Sequence, residues 1–115
     1  MRGASFLLGV ATVAAVPAAA SDRTGYQAIA AGDFATAERT LVAERRIFPS
    51  RPELMLNLAA VYAKTGRATE ATTLYREALS AEPVLMDLPN GKTISSHAVA
   101  ERGLARLSPT MVATR

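Results

Sequence analysis

The sequence predicts an all-α fold in which antiparallel pairs of helices stack on one another, and three observations support this prediction. The chain repeats itself at an offset of 34 residues. Apolar residues recur at helical spacing between the breaks, and a proline closes each repeat. A period of about 20 to 50 residues is typical of stacked repeats, whose units bury their apolar faces only against their neighbours. The matching positions of the two stretches are Gly32, Ala37, Leu41 and Pro49, which correspond to Gly66, Ala71, Tyr75 and Pro83.

Residues 1–20 have the three-part pattern of a secretory signal peptide. Arg2 supplies a positive start, residues 6–16 form an apolar or small run, and a proline is then followed by three alanines. We therefore predict export across the inner membrane into the periplasm, with cleavage after Ala20 or, alternatively, after Ala18. A retained anchor is the other interpretation, but the run extended through Ala20 has 15 residues, short of the roughly 20 that span a bilayer. No later segment is apolar enough to span one, so no stable membrane insertion is expected after cleavage.

Composition argues against several classes of function. The net charge is +3 at pH 7 and aromatic residues make up 5% of the chain, too little of either for a nucleic-acid surface. One histidine and no cysteine leave too few ligands for a metal site, and a glycine-rich phosphate loop is missing. We therefore expect no cofactor, no metal and no nucleic acid. Without disulfides, the core must come from helix packing alone.

The first predicted helix pair spans the residues before Pro49. A first helix runs from about Arg23 to Ala31 and stops at a glycine. Asp33 is a good N-cap, because its carboxylate can accept hydrogen bonds from the free amides of the next turn. The second helix then runs from about Phe34 to Ile47, since the residue before a proline is pushed out of the helical region.

The second predicted pair has the clearest start in the sequence. Ser50 and Glu53 are spaced as a capping box, and Pro52 lies in the first turn, where its missing amide hydrogen costs little. This helix runs to Lys64, and a fourth helix runs from about Ala68 to Ala81. The residues expected in the core of this pair are Leu54, Leu58, Val61, Leu74 and Leu79.

The segment after Pro83 leaves the repeat pattern. The pair Asn90-Gly91 favours a short hairpin between residues 85–88 and 92–94, although an irregular loop over 84–94 remains the alternative. Ser95 or Ser96 then caps a fifth helix that ends near Leu107. We expect this helix to cover the open end of the second repeat with one face, and we expect residues 108–115 to be a flexible tail. The residues of that face are His97, Ala100, Leu104 and Leu107.

The second repeat resembles a tetratricopeptide repeat. The residues that carry the resemblance are Met55, Leu58, Ala59, Tyr62, Ala71, Tyr75 and Pro83, with Gly66 at the turn between the helices. The first repeat is similar from Gly32 to Pro49, but its opening helix is degenerate. The resemblance divides the exported chain into a first repeat, a second repeat, and a hairpin or loop with a capping helix; the ranges are 21–51, 52–85 and 86–107.

The resemblance implies a right-handed α-solenoid whose concave face binds a partner peptide or helix, without catalysis. Such a protein would act as an adaptor or assembly factor. Family members that bind a terminal carboxylate use Lys and Asn where Leu56 and Ala60 stand here, so that activity is not implied. An apolar groove for an amphipathic helix or extended apolar segment is expected instead. The residues of the implied groove are Tyr26, Ile29, Glu53, Leu56, Ala60, Ala63 and Lys64.

Two other functions are open at this stage. The weak first helix would leave apolar surface to cover, so the chain could be a structural protein that forms a homodimer by stacking repeat ends, without a separate ligand. A minor alternative is an enzyme that uses His97 with Ser95 or Ser96. Neighbouring residues on a helix do not face one another, however, and helix capping explains the serines.

The arginines of the second predicted helix and the loop after it form the one basic concentration in the sequence. Glu38 and Glu44 are interleaved with them, so we interpret this surface as a solvated helix face rather than a binding site. The arginines are Arg39, Arg45, Arg46 and Arg51.

Overall fold

The computed structural model describes residues 22–108, and within them the chain forms five helices and one two-stranded sheet. The predicted signal peptide and all but the first residue of the predicted tail lie outside this part of the chain. In chain order the elements are α1 (Tyr26–Ala30), α2 (Phe34–Ile47), α3 (Pro52–Lys64), α4 (Ala68–Ser80), β1 (Leu85–Asp87), β2 (Thr93–Ser95) and α5 (Ser96–Leu107).

Helix α2 has the bounds that its local signals predict. It begins at Phe34, and the carboxylate of Asp33 accepts a hydrogen bond from the amide of Thr36 at 3.2 Å. It ends at Ile47, and the next residue, Phe48, has a non-helical backbone. Both ends are set by residues within a few positions in the sequence, which is why the pattern alone located them.

Helix α1 is shorter than predicted, because it begins at Tyr26 rather than near Arg23. Gly25 lies in the left-handed region with φ of 70°, so the helix cannot continue backwards through it. The Asp22 carboxylate instead accepts hydrogen bonds from the amides of Gln27 and Ala28, at 3.1 and 3.2 Å. No residue of α1 is buried.

The capping box predicted at Ser50 and Glu53 is wrong. Helix α3 begins at Pro52, its N-cap is Arg51, and no side chain caps it. Pro52 favours an extended backbone for the residue before it, and Arg51 has φ of −81° and ψ of 114°. Ser50 is thereby one residue too early to cap. The carbonyl of Arg51 accepts from the amides of the first turn instead.

The core lies on both sides of α3, which packs against α2 and against α4, and α5 packs on both α3 and α4. The repeat is also present in the backbone, since Gly32 and Gly66 occupy matching turns with φ of 78° and 81°. The buried apolar residues form one cluster: Ala37, Leu41, Leu54, Met55, Leu56, Leu58, Ala59, Val61, Ala71, Leu74, Tyr75, Ala78 and Ala100.

The segment between α4 and α5 is a hairpin rather than an irregular loop. Strands β1 and β2 are antiparallel, with Met86 opposite Ile94. The amide of Gly91 donates to the carbonyl of Leu88 at 2.9 Å, and Gly91 alone in this turn has positive φ. The amide of Leu88 donates to the carbonyl of Lys92 at 2.7 Å, so residues 89–91 connect this last hydrogen-bonded pair. A three-residue connection with a left-handed glycine at its end is a common hairpin type. It differs from a two-residue turn in that Asn90 keeps a negative φ.

Helix α5 begins after Ser95 and ends at Leu107, as predicted. The hydroxyl of Ser95 accepts from the amide of His97 at 3.1 Å and is the N-cap. None of the helices between residues 22 and 108 has both the length and the apolar character required to cross a membrane.

Candidate partner-binding groove

Helices α3 and α5 lie beside each other on α4 and leave a groove between them, here named the α3–α5 groove. It encloses a cavity of about 270 Å³. Each of the three helices contributes side chains or backbone to its walls. The residues that line it are Ala60, Ala63 and Lys64 from α3, Tyr75 from α4, and Gly103, Arg106 and Leu107 from α5.

The floor of the groove depends on a close contact between Tyr75 and Gly103. Tyr75 is 6% exposed. A Cβ atom on Gly103 would lie 2.2 Å from Cζ of the Tyr75 ring, so only glycine lets α5 pack this closely over the ring. The ring therefore reaches the groove with its hydroxyl end. Ala60 and Ala63 add two further small residues, both half-buried.

The polar groups of the groove are all hydrogen-bond donors at neutral pH. Burial raises the pKa of Tyr75, while the charge of Arg106 opposes this shift. The phenol consequently remains protonated. The ion pairs among residues 22–108 join Arg45 to Glu77 and Arg67 to Glu38. Lys64 and Arg106 belong to neither pair, and no carboxylate lines the groove.

The structure brings together some of the residues that the sequence placed in a groove. Ala60, Ala63 and Lys64 line one cavity. Tyr26 and Ile29 lie apart from it on α1, where Tyr26 is 52% exposed and Ile29 is half-buried.

Glu53 and Leu56 occupy the N-terminal half of α3, outside the lining of this cavity. Glu53 is half-buried. Leu56 is 3% exposed and belongs to the same core cluster as Ala100 of α5. The expectation that Leu56 contacts a partner is therefore not met in this structure, where its side chain is part of the core.

Sequence reasoning missed the contributions of Tyr75, Gly103, Arg106 and Leu107 to the groove. The sequence identifies Tyr75 only as a position of the repeat pattern, and it predicts α5 only as a cover for the open end of the second repeat. Gly103 was the available signal. A glycine inside a helical pattern often marks a close approach of another group to the backbone.

The residues considered for catalysis hold the start of α5 in place. Nε2 of His97 lies 2.8 Å from the carbonyl oxygen of Ala81, to which it donates. The buried Ser96 hydroxyl accepts from the amide of Val84 at 3.0 Å. These bonds give His97 and Ser96 structural roles at the junction of the hairpin and α5.

Three of the four arginines in the basic concentration make contacts within the fold. Arg45 is ion-paired with Glu77 at 3.0 Å. The Arg51 guanidinium lies 4.5 Å from the centre of the Phe48 ring, a cation–π contact. Arg39 also donates to the Thr36 hydroxyl at 3.1 Å. In residues 22–108, no group of three His, Cys, Asp or Glu side chains could hold a metal ion.

Antiparallel helix pairs that repeat every 34 residues, with a groove along neighbouring helices, define a helical repeat protein of the solenoid class. A family model described as tetratricopeptide repeat matches residues 28–84. The chain is a tetratricopeptide repeat protein. This family generally mediates protein–protein interaction and is typically non-catalytic. Comparison with curated proteins and with solved structures gave no match. The matched region ends before β1, so the α5 wall of the groove lies beyond it.

Proposed function

We propose that the protein is a non-catalytic adaptor or assembly factor of the bacterial periplasm, which binds a segment of a partner protein in the α3–α5 groove. The observation that carries the proposal is the groove itself. Its walls combine small residues with hydrogen-bond donors that have no carboxylate beside them in the groove. The chain also belongs to a family that generally mediates protein–protein interaction. The periplasmic part is supported by the signal-peptide pattern of residues 1–20.

The dimensions of the groove favour a helix or a narrow extended segment as the bound element. Ala60 and Ala63 have short side chains, so the backbone of a partner can approach α3 closely. A cavity of about 270 Å³ accommodates a few side chains rather than a whole domain. We therefore expect modest affinity from this site alone.

Site-specific photocrosslinking in the source organism tests this proposal. A photoreactive amino acid replaces Ala63 in the groove or, as the control, Ala35 on the exposed surface of α2. Both positions carry alanine in helices. Ala35 lines a different surface cavity, with Glu38 and Arg39, so the control shows whether any concave surface of the protein gives the same crosslinks. We expect a discrete crosslinked partner from position 63 and none from position 35. The same products from both positions, or none from position 63, would contradict groove binding.

Self-association remains the second candidate function, because specific apolar residues are exposed at the first repeat. Ile47 is 64% exposed and Tyr26 is 52% exposed. A second copy could cover such surface by stacking on this end. Crosslinks between two copies of the chain, together with a dimer in sedimentation at micromolar concentration, would favour this alternative. A monomer throughout that range would remove it.

A further inference from the structure

The residues that line the α3–α5 groove carry positive charge without negative charge. Lys64 and Arg106 are both exposed at its edges, and Tyr75 presents a hydroxyl between the helices that carry them. The fold neutralises Arg45 and Arg67 with Glu77 and Glu38. It provides no such partner for Lys64 or Arg106 among residues 22–108.

The Tyr75 hydroxyl is also without a hydrogen-bond partner in the described part of the chain. The side chain is more than nine-tenths buried, with 6% exposure. The hydroxyl oxygen itself is open to water at the groove, since the buried side-chain polar atoms without a partner among residues 22–108 are Glu44 Oε1 and Arg45 Nε. The position of the hydroxyl on the groove means that a bound group can supply the acceptor.

We infer that the groove recognises a partner helix through one acidic side chain, whose carboxylate is bound by the Tyr75 hydroxyl, the Lys64 ammonium and the Arg106 guanidinium. This inference deepens the proposed function and rests on it. A carboxylate is an acceptor for all three groups, and charged hydrogen bonds of this kind are stronger than neutral ones.

The small residues of the floor explain why a helix suits the site. Ala60 and Ala63 leave room for a helix backbone beside α3. Leu107 supplies an apolar contact at one end. An acidic residue flanked by small or apolar residues on one helix face therefore complements both the charge and the shape of the groove.

Binding of designed peptides to the purified chain tests the inference. The probes are 14-residue peptides of alanine, leucine and glutamine, acetylated and amidated, with either glutamate or glutamine at the central position. We expect the glutamate peptide to bind at least about tenfold more tightly at low salt, since charge-assisted contacts are roughly twice as strong as neutral ones. Added salt should reduce the difference. Fluorescence anisotropy measures both affinities.

Substitutions in the protein then identify the residues that bind the glutamate carboxylate of the peptide. Lys64→Gln and Arg106→Gln should each remove most of the preference for glutamate, and Tyr75→Phe should weaken it. Arg102→Gln is the matched control, because Arg102 is exposed on the same helix but does not line the groove. It should leave the preference unchanged. A double variant, Lys64→Glu with Arg106→Glu, should instead prefer a peptide with central lysine. Circular dichroism checks that each variant is folded.

Equal binding of the glutamate and glutamine peptides would overturn the inference, as would absence of binding by either. A glutamate preference that survives Lys64→Gln and Arg106→Gln would also overturn it. So would equally tight binding of a glutamine peptide with a free carboxyl terminus, because the chain terminus would then be the ligand. In all these cases a specific crosslink from position 63 would still support the proposed function, which separates the two failures.

Discussion

At the scale of single residues, Gly103 sets how closely α5 approaches α4. Its missing side chain is the space that the Tyr75 ring occupies. The same contact buries the ring and brings the hydroxyl to the α3–α5 groove. Stability and the candidate site therefore depend on one pair of residues, 28 positions apart in the sequence.

Gly103→Ala should lower the free energy of unfolding, measured by urea denaturation, by about 1–2 kcal/mol. Helix propensity alone predicts the opposite, a gain of about 1 kcal/mol. We expect steric overlap to outweigh it, because overpacking a filled site costs about 1–3 kcal/mol and the new Cβ would lie 2.2 Å from the ring. In a Tyr75→Leu background the same change should be neutral or stabilising. If Gly103→Ala stabilised the otherwise unchanged protein, α5 would have to be able to move away from the Tyr75 ring.

At the scale of elements, the sequence predicted what depends on neighbouring residues. The bounds of α2 follow from Asp33 and Pro49, both within two residues of the helix ends. The start of α5 follows from Ser95. Sequence reasoning failed at α3, where two local signals compete. The effect of Pro52 on Arg51 prevails over the capping pattern at Ser50.

The α3–α5 groove could be predicted only in part, for a different physical reason. Its α3 wall follows from the repeat register, which located Ala60, Ala63 and Lys64. Its α5 wall depends on how a helix outside the repeat docks after a hairpin. That docking includes the close contact of Gly103 with Tyr75, for which the glycine is a sequence signal but its distant partner is not. Leu56, which the resemblance placed on the groove, is 3% exposed and belongs to the core.

A pair of serine variants distinguishes the two predicted caps. Ser95→Ala should destabilise the protein by about 0.5–2 kcal/mol, as expected for loss of an N-cap, because Ser95 accepts from the His97 amide. Ser50→Ala should have nearly no effect, since no side chain caps α3. Thermal or urea unfolding measures both. Equal destabilisation by the two substitutions would show that Ser50 caps α3 in solution.

At the scale of the whole molecule, stability should rise from the first helix towards the middle of the stack. Each unit of a repeat protein is stabilised by its neighbours, so a terminal element with little buried surface opens most easily. Helix α1 has no buried residue, whereas α3 buries Leu54, Leu58 and Val61 among others. Helix α1 packs on α2. The Asp22 carboxylate accepts a hydrogen bond from the Gln27 amide. Asn57 donates to the carbonyl of Thr24, just before α1, at 2.8 Å.

Native-state hydrogen exchange should therefore show amides of α1 exchanging on the order of 100-fold faster than those of α3, through local opening. Asp22→Ala removes the acceptor of the Gln27 and Ala28 amides, so it should speed exchange in α1 further and leave α3 unchanged. That contrast is the internal control, because a general loss of stability would speed both helices. Equal exchange in α1 and α3, with an equal response to Asp22→Ala, would mean that the described chain opens as one cooperative unit. In the expected case, α1 opens while α3, α4 and α5 stay packed, so the α3–α5 groove is retained in the locally opened molecule.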